Sequence, residues 1–87
     1  MEPEIRMVTV FKSGQVNEMM WVQSNYLSGN LAHDLKLDNA VRIDVEVIAG
    51  GFCYRSRYYR DPFVAAMHFP QYAGGWMRDI LPPQVIR

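Results

Sequence analysis

Apolar and polar side chains alternate most regularly between Val41 and Arg60, on either side of Gly50-Gly51. Val41, Ile43, Val45 and Val47 interleave with Arg42, Asp44 and Glu46, and Tyr54, Ser56 and Tyr58 interleave with Arg55, Arg57 and Tyr59. A period of two is that of a strand with one face buried and the other wet. A Gly-Gly pair supplies the positive φ that both central positions of a two-residue turn require, so the sequence predicts a β-hairpin over 41–60 in which Ala49 faces Phe52. The register then sets Val47 opposite Tyr54, Val45 opposite Ser56 and Ile43 opposite Tyr58. On the other face it sets Glu46 opposite Arg55, Asp44 opposite Arg57 and Arg42 opposite Tyr59. A slip of one residue would exchange the two faces and break every one of these pairs.

The pattern is weaker elsewhere. Met1 to Arg6 reads as a polar lead, and Met7 to Phe11 is a β-branched run closed by Lys12-Ser13-Gly14, which predicts a first strand. From Val16 to Leu27 the residues Val16, Met19, Met20, Gln23, Tyr26 and Leu27 recur at helical offsets, and the run Met19-Met20-Trp21-Val22 does not alternate. Helix is therefore preferred there over a strand folded back on Met7 to Phe11. Ser28-Gly29-Asn30 reads as a break or a kink, with Asn30 capping a short helix that carries Leu31, Ala32 and Leu35. Asp61-Pro62 predicts a helix to Phe69, because an Asp cap accepts free amide protons and a first-turn proline loses no hydrogen bond. Trp76 to Leu81 reads as one more helical turn, and Pro82-Pro83 as the start of a tail. The fold class expected is α+β, a small antiparallel sheet built on the 41–60 hairpin with one or two helices packed on one face.

Composition narrows the functional classes. An 87-residue chain buries roughly 60–65% of its unfolded surface, which predicts a single domain over 1–87, with 1–6 and 82–87 as flexible ends. Formal net charge is zero, so no overall field draws the chain to nucleic acid or to an anionic membrane. The only cysteine is Cys53, which excludes an intrachain disulfide and fits a reducing, cytoplasmic setting. No apolar run approaches the ~18 residues of a membrane span, so no membrane partner is expected.

Three groups of residues carry candidate chemistry. Arg55, Arg57, Tyr59 and Arg60 interleave cations with aromatic rings, as nucleic-acid or nucleotide binding requires. The hairpin register works against that use, because it sets carboxylates opposite Arg55 and Arg57. Cys53, His68 and Asp61 are the residue types of a thiol nucleophile, base and orienting group, yet no oxyanion turn surrounds Cys53. His33, Asp34, Asp38 and His68 could ligate a metal, but their spacing matches no compact site. No cofactor, metal or catalytic group is expected, and the chain reads as a non-enzyme.

The remaining feature is an apolar surplus comprising Phe63, Met67, Phe69, Tyr72, Trp76, Ile80 and Leu81. A small domain does not hide all of these, and what stays outside forms a partner patch or a dimer seam; the alternative is a tail that wraps the sheet and closes the core. The expected function is protein binding, as an inhibitor or adaptor of a larger protein of the kind mobile elements encode, with self-association into a homo-oligomer. The residues expected to carry it are Tyr59, Phe69, Tyr72 and Trp76 as rigid aromatic anchors, with Arg60 and Arg78 as rim charges.

Overall fold

The computed structural model of the chain describes residues 3–21, 24–37, 39–60 and 75–86, and of residues 24–26 the backbone alone. In chain order the elements are β1 (Glu4–Phe11), β2 (Val16–Trp21), α1 (Ser24–Leu35), β3 (Ala40–Ala49), β4 (Phe52–Arg60), β5 (Trp76–Ile80) and β6 (Gln84–Val85). The strands form one antiparallel sheet in the order β2-β1-β3-β4-β5, and β6 follows β5 along the same edge of β4.

The β3–β4 hairpin has the register that its alternation dictates, from Ala49 opposite Phe52 to Arg42 opposite Tyr59. Gly50 and Gly51 take φ values of 59° and 81°, where a side chain would be strained. A second hairpin joins β1 to β2. The Gly14 N–H donates to the Phe11 carbonyl at 2.8 Å and the Phe11 N–H to the Gln15 carbonyl at 2.9 Å. With Gly14 at φ 88° this is a three-residue loop ending on a left-handed glycine.

The architecture corrects the expected α+β class. Strand predominates, and the described residues hold a single helix of 12 residues. Val16 to Trp21, expected as helix, is a strand paired on β1 with Met7 opposite Met19. Its apolar run fails to alternate because Val16 to Met20 are exposed throughout, and alternation appears only where one face is buried and the other is not. The helix starts at Ser24 and passes through Ser28-Gly29-Asn30 without a break, so Asn30 is no cap. Trp76 to Ile80 is strand rather than a helical turn. The polar lead is strand from Glu4, and Gln84–Val85 pairs with Phe52 and Cys53. The helix expected over 62–69 lies outside the described residues.

β5 and β6 behave as one edge strand with an interruption. Ile80 lies opposite Ser56 and Gln84 opposite Cys53, so four steps on the edge match three on β4. Leu81 to Pro83 absorb the extra residue as a bulge, the site where an edge strand tolerates proline. The Leu81 and Ile86 amides still donate to the Arg55 and Gly51 carbonyls at 3.0 and 2.9 Å.

The core lies where β1 and β3 run side by side. Ile5, Met7 and Thr9 alternate inward from β1, and Ile43 and Val45 from β3. α1 presents Leu27, Leu31 and Leu35, one helical turn apart, to Met7, Ile43 and Val45, and Trp21, Tyr58 and Trp76 close the rim. One polar contact latches the helix to the sheet: the buried Thr9 hydroxyl donates to Asp34 Oδ2 at 2.5 Å. Among the described residues no helix is long and apolar enough to cross a membrane.

Candidate functional site

Period-two geometry divides the sheet into a face under α1 and a face opposite it, which the single helix of the described residues leaves open. The open face carries charge in rows. Glu18, Val8, Asp44, Arg57 and Asp79 lie side by side across five strands, and Met20, Arg6, Glu46 and Arg55 form the next row. The Arg57 Nε–H donates to Asp44 Oδ1 at 2.8 Å. Tyr59 and then Asp44 hold the Arg57 guanidinium pKa above its ordinary value. Arg6 Nε lies 2.9 Å from Glu18 Oε1, and Arg42 Nε 3.3 Å from Asp44 Oδ2. Neither of these nitrogens has a hydrogen-bond partner, so both contacts are coulombic rather than directional.

Register alone does not decide the ion pairs. Glu46 is opposite Arg55, yet its carboxylate turns toward Arg6 at 3.8 Å. Arg55 Nε is enclosed without a hydrogen-bond partner, at the wall of a shallow depression of about 50 Å³ that Asp44, Glu46, Arg57 and Leu81 also line. The sequence-predicted cations Arg55 and Arg57 and the ring of Tyr59 therefore share this face. They share it with Arg6 and Arg42, and with Glu18, Asp44, Glu46 and Asp79: four guanidiniums and four carboxylates, which leave no net positive track for a phosphate backbone.

Arg60 and Trp76 lie on the helix side and serve the fold. They are opposite each other in the β4–β5 register, with the guanidinium 4.6 Å above the indole ring. Trp76 Nε1 donates to the Leu35 carbonyl at 2.9 Å, and Arg60 donates to the carbonyls of Ala40 and Leu37. The Trp76 donor thus meets a carbonyl at the C-terminal end of α1, where a helix has acceptors without intrahelical partners, and Arg60 ties the connection that follows, from Leu37 to Ala40, to β4. Arg78 stacks over Tyr58 at 5.6 Å on the same face. Phe69 and Tyr72 lie outside the described residues, as do His68, Asp61 and Asp38. Among the described residues no three His, Cys, Asp or Glu side chains converge as metal ligands.

The structure gathers a different apolar group on the helix side, toward the hairpin tip and beyond the reach of α1. Phe52, Tyr54, Ile80 and Val85 are 41%, 45%, 72% and 66% exposed. Val85 lies directly opposite Phe52, Ile80 opposite Ser56, and the Phe52 and Tyr54 rings stand 6.2 Å apart. All four belong to the parity that carries Tyr58 into the core. Sequence reasoning misses Phe52 and Val85, and the signal for Phe52 was present: the alternation that places Tyr54 and Tyr58 on one face extends to it. No signal could place Val85 there without knowing that the chain returns along β4. No protein-family model, curated protein or solved structure matches this chain.

Proposed function

We propose that the protein is a non-enzymatic protein-binding module, an inhibitor or adaptor that docks on a larger protein through Phe52, Tyr54, Ile80 and Val85. The observation that carries this reading is the exposure of four large apolar side chains side by side on one sheet face. Single exposed apolar residues are ordinary, but a contiguous group is an interaction surface. Phe and Tyr are favoured at such surfaces, and strand backbone already held by β3 and β6 leaves little ordering to be lost on docking. Arg78, two residues before Ile80 and on the same face, is the rim charge of this patch and acts on the rate of association. The four carboxylates among the guanidiniums of the open face weigh against the nucleic-acid alternative built on Arg55, Arg57 and Tyr59.

The test is quantitative affinity capture from cells of the source organism with the Phe52→Ser and Val85→Ser variants, singly and together. These side chains are already exposed, so circular dichroism is expected to show an unchanged fold. Partner recovery is expected to fall about tenfold or more, as at a central apolar anchor. Undiminished recovery by a folded double variant would overturn the assignment.

A further inference from the structure

We propose that two copies of this chain pair edge to edge through β2, antiparallel about a two-fold axis at Met19, so that one sheet runs through both molecules. The two edges of the sheet differ. β5 and β6 are blunted by the bulge and by Pro82 and Pro83, as protected edges are. β2 has no proline, no lysine and a single charge, Glu18, and among the described residues nothing pairs with its outer side. One open edge per molecule gives a closed pair rather than a fibre.

The hairpin geometry says which backbone groups point outward. Phe11 donates to the Gln15 carbonyl and accepts from the Gly14 N–H, which makes this the hydrogen-bonded, narrow end of the hairpin, and antiparallel pairs alternate. Thr9–Asn17, Met7–Met19 and Ile5–Trp21 are therefore hydrogen-bonded inward. Val16, Glu18 and Met20 direct their N–H and C=O groups to the open side. Their side chains are all exposed.

Charge then selects the register. Opposed residues share a face, so the two-fold axis must pass through a residue of β2. An axis at Glu18 overlaps five residues but sets the two Glu18 carboxylates against each other. An axis at Met19 also overlaps five residues and opposes no like charges: Met19 faces its copy, Glu18 faces Met20 and Asn17 faces Trp21. Axes at Asn17 or Met20 overlap only three. With zero net charge, long-range repulsion does not oppose the pairing. So short a strand pair buries less than the standard interface of about 1,600 Å², and a micromolar dimer is expected.

The test combines sedimentation velocity across micromolar to millimolar concentrations with disulfide trapping in a Cys53→Ser background. A non-hydrogen-bonded antiparallel pair brings Cα atoms to about 4.5 Å, within disulfide range. Met19→Cys is expected to crosslink the dimer, and Glu18→Cys and Met20→Cys to crosslink much less. Met20→Pro removes an outward N–H and leaves the β1 ladder whole; it is expected to give a folded monomer. If that variant unfolds, Met19→Lys, which opposes like charges across the axis, takes its place. A monomer at every concentration, preferential crosslinking of Glu18→Cys, or a dimer indifferent to Met19→Lys would overturn the proposal. Phe52→Ser is expected to leave the dimer intact, so the outcome stands apart from that of the partner patch.

Discussion

Thr9→Val is the sharpest perturbation of the link between helix and sheet. Valine keeps the shape of threonine and removes only the hydroxyl that donates to Asp34 Oδ2. Both residues are buried, so water does not replace the lost donor. A hydrogen bond to a charged group contributes about 1.5–3 kcal/mol net, and a buried carboxylate left without its donor brings the full cost. For a domain of this size that corresponds to a fall in Tm of roughly 6–20 °C. Urea unfolding followed by tryptophan fluorescence is a suitable assay, since Trp21 and Trp76 border the core, and a constant m-value would show that stability alone has changed. Asp34→Leu in the Thr9→Val background removes the orphaned carboxylate as well, and the pair is expected to approach the wild-type stability. A cost below about 0.5 kcal/mol for Thr9→Val, or a double variant as unstable as the sum of the singles, would refute the reasoning.

Further substitutions test the remaining contacts. Gly29 sits in α1 with helical φ and nothing within 4 Å of an added Cβ, so Gly29→Ala is expected to stabilise by about 0.5–1 kcal/mol in thermal unfolding; a kink at Gly29 would make it neutral or harmful. Trp76→Phe removes the indole N–H from the Leu35 carbonyl and is expected to cost about 1 kcal/mol. Arg60→Met, which strips donors from the Ala40 and Leu37 carbonyls, is expected to speed hydrogen exchange of the Leu37 and Ala40 amides. Asp44→Arg and Arg57→Asp are each expected to cost less than about 1 kcal/mol in denaturant unfolding. Together they are expected to restore part of that loss, because the pair stays complementary when both charges are exchanged, while Arg42 and Asp79 beside it then meet like charges.

The parts of the fold that could be read from the sequence are those where burial differs between the two faces of a strand. β3 and β4 alternate cleanly and share a Gly-Gly turn, so their register was accessible pair by pair. β2 was not, because an edge strand exposed on both sides has no reason to alternate, and Met19-Met20-Trp21 then imitates a helical stripe. Gly29 misled in the opposite direction: a helix tolerates an exposed glycine when Leu27, Leu31 and Leu35 hold it to the sheet. Pro82-Pro83 looked like the end of structure, yet proline on an outer edge beside a bulge costs no ladder bond. The candidate site was legible only in part. Trp76 and Arg60 attract notice as anchors, and only the structure reveals that their polar atoms bind the end of α1 and the connection after it. Phe52 and Val85 became neighbours through a pairing 33 residues apart that no local pattern encodes.

The protein-binding account is tested most directly by site-specific photo-crosslinking in the source cells, with a photoreactive phenylalanine analogue placed at Tyr54 and, as a control, at Asp79 on the open face. The account predicts a discrete adduct with a larger protein from Tyr54, none from Asp79, and loss of the Tyr54 adduct in the Phe52→Ser, Val85→Ser variant. No adduct from Tyr54, or equal adducts from both positions, would contradict it.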